Sequence, residues 1–522
     1  MNGAESLVRS LLDADVDVCF ANPGTSEMHF VAALDKVGGM RCVLGLFEGV
    51  VTGAADGYAR MAEKPAVTLL HTGPGLANGI ANLHNARKAG VPIVNMVGEH
   101  ASWHIAHDAP LTSDIAGLAA PVSHWLRTCE SAANLASDGA DAVAAAGGLP
   151  GKIATLIVPA NTAWESSTGK AQSDPSPTLT DDQGSTPEEI DPANLQRIAE
   201  VLNSGESVAI VIGGAALRSD ALKSVARIAK ARGASLFCET FKSRMERGAG
   251  RVPVDAIPYR LQSATTLLED FEHIVAIGTK PPIAFFAYPD TRSELYSEKA
   301  EAHQLASLFQ NVPKALDDLE AILDTTDVIA ELQPLELPVR CEDGPLTPGS
   351  LANVIARLLP EDAIVVDESV TAGREIFAAT QGSHTHDWLE VCGGSIGGGL
   401  PLATGAAIAA PDRPVFCFEG DGSAMYTVQS LWTQARESLN ITTIILANQS
   451  YDILKYELEN VQASSGEIAL SMMDLTRPSL DWVAMSESMG VAARKVATVA
   501  ELEEALKHAA STQGPFLIEA RL

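Results

Sequence analysis

Residues Val415–Leu454 read VFCFEGDGSAMYTVQSLWTQARESLNITTIILANQSYDIL. An apolar run, VFCFE, stops at Gly420-Asp421-Gly422-Ser423. A helical stretch follows, and a second apolar run, TTIILA, stops at Asn448-Gln449-Ser450-Tyr451. Two such runs joined by a helix predict parallel strands whose C-terminal ends share one edge of a sheet, where open α/β sheets place their ligands. Asp421 offers a hard carboxylate oxygen at that edge. Asn448 offers a neutral oxygen and the Ser450 carbonyl a third, a set that suits Mg²⁺, which takes one or two protein oxygens together with phosphate and water. Gly420 and Gly422 let the backbone approach a diphosphate, and the N–H groups of Gly422 and Ser423 can meet its oxygens.

Outward from this stretch, the same alternation of short apolar runs and helical segments fills three blocks. The last block, residues 349–522, adds AIVVDES and FLIEARL to the two strands above. The middle block, 193–331, has SVAIVIGG, ASLFCET and HIVAIGT, with LKSVARIAKA as a helix. The first, 1–164, has VDVCF, CVLGL, AVTLL, PIVNMVG and TLIVPA, with a helix from Gly49 to Glu63. Strands alternating with helices predict parallel sheets covered on both faces, so the fold class is α/β, three consecutive doubly wound parallel-sheet domains. Residues 165–192, rich in Ser, Thr, Pro, Asp and Gly, and residues 332–348 read as linkers.

The chain has 522 residues and a formal net charge of -30, which disfavours nucleic acid and anionic membrane as partners. No apolar run reaches the roughly 20 residues of a bilayer span, and MNGAESLVRS lacks the basic start and apolar core of a signal peptide. A cytoplasmic protein is expected. The seven cysteines are scattered with no CxxC pair, which argues against a disulfide framework and against a zinc site; they are expected to be buried small hydrophobes. GGAAL, after a strand of the middle block, is not a GxGxxG turn, and no FAD is expected.

The GDGS stretch followed at this distance by a strand ending in Asn resembles the metal and diphosphate motif of thiamine-diphosphate enzymes, the group that includes acetolactate synthases, benzoylformate decarboxylases and pyruvate decarboxylases. Ala447 stands where that family often has a first Asn, before the metal-binding one. The resemblance covers nearly the whole chain and implies a pyrimidine-binding first domain, a middle domain and a diphosphate-binding last domain. It implies Asp421, Asn448 and Ser450 as Mg²⁺ ligands. Glu48, at a strand-to-helix junction in CVLGLFEGVVTGAADGYAR, matches the glutamate that binds the pyrimidine N1′ and so promotes loss of the thiazolium C2 proton. An apolar pocket around it would favour sharing that proton. Gly393-Gly394-Ser395-Ile396-Gly397 is similar to the segment that holds the cofactor bent, with Ile396 under the ring and the Gly394 carbonyl accepting from the 4′-amino group. Thr371, in DESVT, is placed near the diphosphate, and Gly420, Gly422, Ser423 and Tyr451 complete the cofactor-binding set. The family's sites form between subunits, so a homodimer or homotetramer is implied.

The substrate side is less determined. Asn22-Pro23-Gly24-Thr25-Ser26-Glu27 resembles the substrate-side turn, and His71 in HTGPG stands where benzoylformate decarboxylases have a proton-transferring histidine. Their second histidine has no match in Ile283–Tyr288, and Leu454 replaces the glutamate of pyruvate decarboxylases. A branched Ile453 is expected to narrow the pocket, and His104 and His107, in GEHASWHIAHDAP, are candidate proton relays. Thr25, His71, His107 and Ile453 make the expected substrate pocket. The reading is a decarboxylase or carboligase for small 2-oxo acids, acetolactate synthase-like; the alternatives are an aryl 2-oxo acid decarboxylase and a catalytically silent cofactor-binding partner subunit.

Overall fold

The computed structural model describes residues 1–148, 150–168, 179–180 and 190–522. Most of the first expected linker therefore lies outside the described residues. The strands, in chain order, are β1 (Val18–Asn22), β2 (Arg41–Leu44), β3 (Ala66–His71), β4 (Ile93–Glu99), β5 (Trp125–Thr128), β6 (Ile153–Pro159), β7 (Leu179–Thr180), β8 (Val208–Ile212), β9 (Ser235–Cys238), β10 (Met245–Arg247), β11 (Asp255–Ala256), β12 (His273–Ile277), β13 (Glu301–Ala306), β14 (Ala363–Glu368), β15 (His386–Glu390), β16 (Val415–Gly420), β17 (Ile441–Ala447), β18 (Ala492–Val496) and β19 (Phe516–Arg521). They form three sheets, ordered β2-β1-β3-β4-β6-β5-β7, β11-β9-β8-β12-β13 and β10-β15-β14-β16-β17-β19-β18. All pairs are parallel except two at sheet edges, β5 with β7 and β10 with β15. The α/β class with three parallel sheets is thus the observed architecture.

The apolar runs explain the pairing. β4, β6, β8, β12 and β17 are buried along their whole length, as strands covered by helices on both faces must be. β10 departs from a simple block order: it comes from the middle stretch of sequence yet pairs antiparallel with β15 of the last sheet, Met245 opposite Trp388. Residues 332–344 contain no helix or strand.

The first and last sheets are joined through two helices, Glu48–Ala62 and Gly399–Ala409. Almost every residue of each is buried, so neither is a one-sided surface helix. They approach to backbone contact because small residues face each other. A side chain on Gly57 would overlap the Leu402 carbonyl, and one on Gly405 would overlap the Ala54 carbonyl. One continuous apolar core consequently runs from Val43 and Leu70 of the first sheet to Val366 and Ile445 of the last. Arg60 pins this junction. Its guanidinium donates to both Asp56 carboxylate oxygens (2.7 and 2.8 Å) and to the carbonyls of Glu390 (2.7 Å) and Ser243 (2.8 Å).

The cysteines are free. Cys19, Cys129, Cys238 and Cys417 are buried as expected. Cys42 is not: β2 is an edge strand, and its alternation turns Cys42 outward.

Candidate active site

β16 and β17 are adjacent and parallel, with Gly420 opposite Leu446, so their C-terminal turns stand side by side. Asp421 opens the short helix Asp421–Ala424 and is buried. Its Oδ2 accepts from the Gln449 N–H at 2.6 Å, which ties the two turns together. Asn448 Oδ1 accepts from the Ser450 N–H (3.1 Å), and its Nδ2 donates to Asp452 (3.1 Å); the amide oxygen keeps a free lone pair. The Ser450 hydroxyl donates to Met473. The Tyr451 ring packs on Gly422, its hydroxyl 3.4 Å from the Gly422 carbonyl. Burial pushes the Asp421 carboxyl up to about 6, against the pull of the Gln449 and Gly422 N–H groups. A buried carboxylate with no cationic side chain bonded to it, beside an amide oxygen, is a hard-oxygen set that a divalent cation fits. A cavity of about 730 Å³ lies alongside, lined by Asn448, Gln449, Ser450, Lys455, Asp474 and Arg477 among others.

Two further loops border this edge. Gly393–Gly398 connects β15 to the buried helix, and Gly394 has φ of +72°. Phe285 from the middle block lies against Gly394, where a side chain would collide with its ring. Ile396 is half-buried. Beneath the loop, Glu368 ends β14 and Glu419 lies opposite it on β16. Glu368 accepts from the Gly397 and Gly399 N–H groups, both at 2.7 Å. Burial raises both carboxyls, Glu368 to about 7 and Glu419 well above the usual range, where Glu368 adds to the effect. Thr371 is half-buried in the turn after β14, next to Val370, whose φ is +52°. Gln449 (φ +57°) and Thr72 (φ +50°) share that left-handed conformation, so three of the site turns carry a strained non-glycine residue.

Glu48 is the first residue of its helix and half-buried. Its Oε2 accepts from Asn78 Nδ2 at 3.0 Å, and Gly75 faces its other oxygen. The apolar enclosure read from the sequence is open on one side, because Leu46 is 48% exposed. His71 ends β3; its Nδ1 is 2.9 Å from Glu27 Oε2, which also accepts from the Gly24 N–H (2.7 Å). Glu27 is buried and its Oε1 has no hydrogen-bond partner among the described residues. Burial raises its carboxyl, with His71 opposing. Thr25 is exposed on the same turn. His104 and His107 are exposed and lie in a row with His100, the rings edge-on and tilted, with centroids 5.3 and 5.8 Å apart. Ile453 is half-buried in the first turn of the helix Asp452–Asn460. No hydrogen bond connects Glu48 or His71 to Asp421, Asn448 or Ser450 among the described residues.

The sequence reading missed Glu27, Glu368, Glu419 and Phe285 as site components. Glu27 and Glu368 stand inside quoted stretches, and Glu419 directly precedes GDG; a charged residue at the end of an otherwise apolar strand was the available signal. Phe285 carried none. The reading also missed Glu457, which accepts from the Tyr259 (2.8 Å) and Tyr288 (2.7 Å) hydroxyls and so ties the helix Asp452–Asn460 to the middle block.

Residues 1–118 match the family described as thiamine pyrophosphate enzyme, N-terminal TPP binding domain, and residues 370–520 match its C-terminal TPP binding domain. A Mycobacterium tuberculosis protein, named provisionally as an acetolactate synthase large subunit, is 49% identical over 99% of this chain and 98% of its own length. A benzoylformate decarboxylase of Pseudomonas aeruginosa is 29% identical over 96% of this chain and 95% of its own. Among solved structures, the thiamine diphosphate-dependent 4-hydroxybenzoylformate decarboxylase of Rhodococcus jostii RHA1 superposes with a TM-score of 0.84 at 23% identity, over 100% of this chain and 99% of that one.

Proposed function

The chain belongs to the thiamine pyrophosphate-dependent enzymes, and from that premise we propose that it is a Mg²⁺-requiring decarboxylase or carboligase of small 2-oxo acids, acetolactate synthase-like. The observation that carries the proposal is the buried, metal-competent oxygen set of Asp421 and Asn448, held in register by the 2.6 Å bond from Gln449. The 49% identical relative with an acetolactate synthase name supports the reaction class.

Bound thiamine diphosphate supplies the nucleophile that attacks the 2-oxo carbonyl and the electron sink that takes up the pair left by the departing carboxylate. The residues of this chain do the rest. Asp421, Asn448 and the Ser450 carbonyl would hold Mg²⁺, with the N–H groups of Gly422 and Ser423 directed at phosphate oxygens. Thr371, Gly420 and Tyr451 would flank the diphosphate. Gly394 and Ile396 would seat the rings, and the Glu368 carboxylate fixes their loop through two backbone N–H groups. Glu48 would hold a proton at the pyrimidine N1′. His71, oriented by Glu27, would move a proton at the substrate carbonyl oxygen, while Ile453 limits the space beside it and Thr25 borders it.

The two halves of the site would come from different subunits. Asn85 and His84 of the first block bond the Gly393–Gly397 loop of the last, but among the described residues no hydrogen bond joins Glu48 or His71 to Asp421, Asn448 or Ser450, and apolar side chains stand uncovered beside each group: Leu46 next to Glu48, and Tyr426, 54% exposed, near Ser423. A homodimer or homotetramer would cover them. The exposed His104 and His107 have no assigned part in proton transfer.

A second reading, an aryl 2-oxo acid decarboxylase, is favoured by the aromatic cluster of Phe241, Tyr259, Phe285 and Phe286 beside Gly394 and by the His71–Glu27 pair. NMR of products from labelled pyruvate and from benzoylformate, each with thiamine diphosphate and Mg²⁺, separates the two. Acetolactate or acetoin from pyruvate supports the proposal; turnover of benzoylformate alone replaces it with the second reading. Cofactor binding with no turnover of either would leave the partner-subunit role.

A further inference from the structure

At the end of the middle sheet away from its strands' C-termini, three chain segments bring metal-ligating side chains together. β12 begins at His273 and its parallel neighbour β13 begins at Glu301, and the register sets these two residues opposite each other. His303 follows two residues along β13. Period-two alternation therefore projects His273, Glu301 and His303 from one face. His303 Nε2 lies 3.2 Å from His273 Nδ1 and 4.0 Å from Glu301 Oε2, and one ligand atom from each of the three falls within 4.8 Å of the others. The other ring nitrogen of His273, Nε2, is 2.6 Å from Glu206 Oε2, on the segment leading into β8.

We propose that His273 Nδ1, His303 Nε2 and the Glu301 carboxylate bind a transition-metal dication, Zn²⁺ in the first place, with water completing a tetrahedron. Zinc–nitrogen bonds of roughly 2.0–2.1 Å put neighbouring ligands of a tetrahedron about 3.3 Å apart, and the two histidine nitrogens already have that spacing. The Glu301 carboxylate, on an exposed side chain, needs a shift of less than about 1 Å relative to His303 to match it. Glu206 supplies the outer partner that metal-bound histidines usually have: accepting the Nε2 proton, it leaves the Nδ1 lone pair of His273 facing the site. Two imidazoles with one carboxylate favour zinc over Mg²⁺, which prefers oxygen ligands. Burial, His273 and Arg197 act on His303 against its charged form, and the Glu301 carboxylate opposes them. The site joins β8, β12 and β13 at their N-terminal ends, the edge opposite to the one that bears ligands in such sheets. Its role is therefore to clamp strands, not to take part in catalysis.

The test uses the full chain saturated with thiamine diphosphate and Mg²⁺. Titration with Zn²⁺ by calorimetry is expected to show one further ion per chain at micromolar affinity or tighter, and Co²⁺ in its place is expected to give the visible absorption of a tetrahedral site. Zn²⁺ uptake should weaken at least tenfold in His303→Ala and in Glu301→Gln, and stay unchanged in Asp421→Asn. Zn²⁺ should also raise the melting temperature of the natural chain but not that of His303→Gln. The exposed position of Glu301 makes Glu301→Gln the reliable variant should His303→Ala fail to fold. The proposal is overturned by absent uptake, by uptake unaffected in both His303→Ala and Glu301→Gln, or by uptake lost in His107→Ala instead, which would move the ion to the His100–His107 loop.

Discussion

Replacing Asp421 by Asn should stabilise the metal-free protein while disabling it. The folded chain raises the Asp421 carboxyl from an ordinary value near 3.8 to about 6, chiefly by burial. The folded state therefore holds this proton more tightly than the unfolded state does. That advantage is complete below about pH 4 and is lost as pH rises towards 6. Above it, the cost relative to a neutral group approaches 2 pKa units at 1.36 kcal/mol each, about 3 kcal/mol; at pH 4.5 the same linkage leaves about 1 kcal/mol. The amide oxygen of Asn still accepts from Gln449, the bond that ties the two turns together. Urea unfolding in EDTA should accordingly show Asp421→Asn more stable than the natural chain, by up to about 3 kcal/mol at pH 7.5 and about 1 kcal/mol at pH 4.5. Mg²⁺ with thiamine diphosphate should reverse the order. The natural chain gains about 2.7 kcal/mol at a hundredfold excess over Kd, and the variant gains little. A variant less stable in EDTA at pH 7.5, or a gap indifferent to pH, would refute the reasoning.

Three other outcomes are expected. Glu368→Gln leaves one of the Gly397 and Gly399 N–H groups without its carboxylate acceptor, a loss of about 1–3 kcal/mol; calorimetry should find thiamine diphosphate bound about tenfold more weakly or worse, and unchanged affinity would show that the loop is held otherwise. Glu48→Gln and Asp421→Asn should each be inactive alone, yet mixing and reassembling the two should restore part of the activity if sites are shared between subunits; no recovery after proven exchange would count against sharing. Ile453→Ala should raise kcat/KM for bulkier 2-oxo acids relative to pyruvate, and an unaltered ratio would place Ile453 outside the pocket.

The strand-turn-strand between Val415 and Leu454 was legible because its chemistry is local: each ligand sits at the end of an apolar run, and parallel pairing alone brings the ends together. The three-sheet class followed from the same alternation. The Glu368–Glu419 pair was not legible, since it depends on the register of β14 against β16, which no spacing in the sequence encodes. Phe285 reaches Gly394 across more than a hundred residues of chain. The pairing of β10 with the last sheet was hidden for a similar reason: a three-residue strand has too little pattern to announce its partner. The position of Glu48 at a helix start was legible from its junction, but its partner Asn78 and the exposure of Leu46 depend on how the next helix is laid over it.

The contact between Gly57 and Leu402, with its counterpart between Gly405 and Ala54, also bears on how the molecule can move. Backbones that touch leave no compressible layer of side chains between them, so the first and last sheets turn as one solid piece, and a hinge between them has nowhere to bend. Any breathing that admits a substrate must then fall to parts mounted outside that piece. The helix Asp452–Asn460 has no buried residue, and it meets the middle block through Glu457, gripped by two tyrosine hydroxyls, and through Tyr456, whose ring lies under Arg260. Together they would act as a latch: breaking them would loosen the helix from its far end, while its first residue, Asp452, stayed bonded to Asn448.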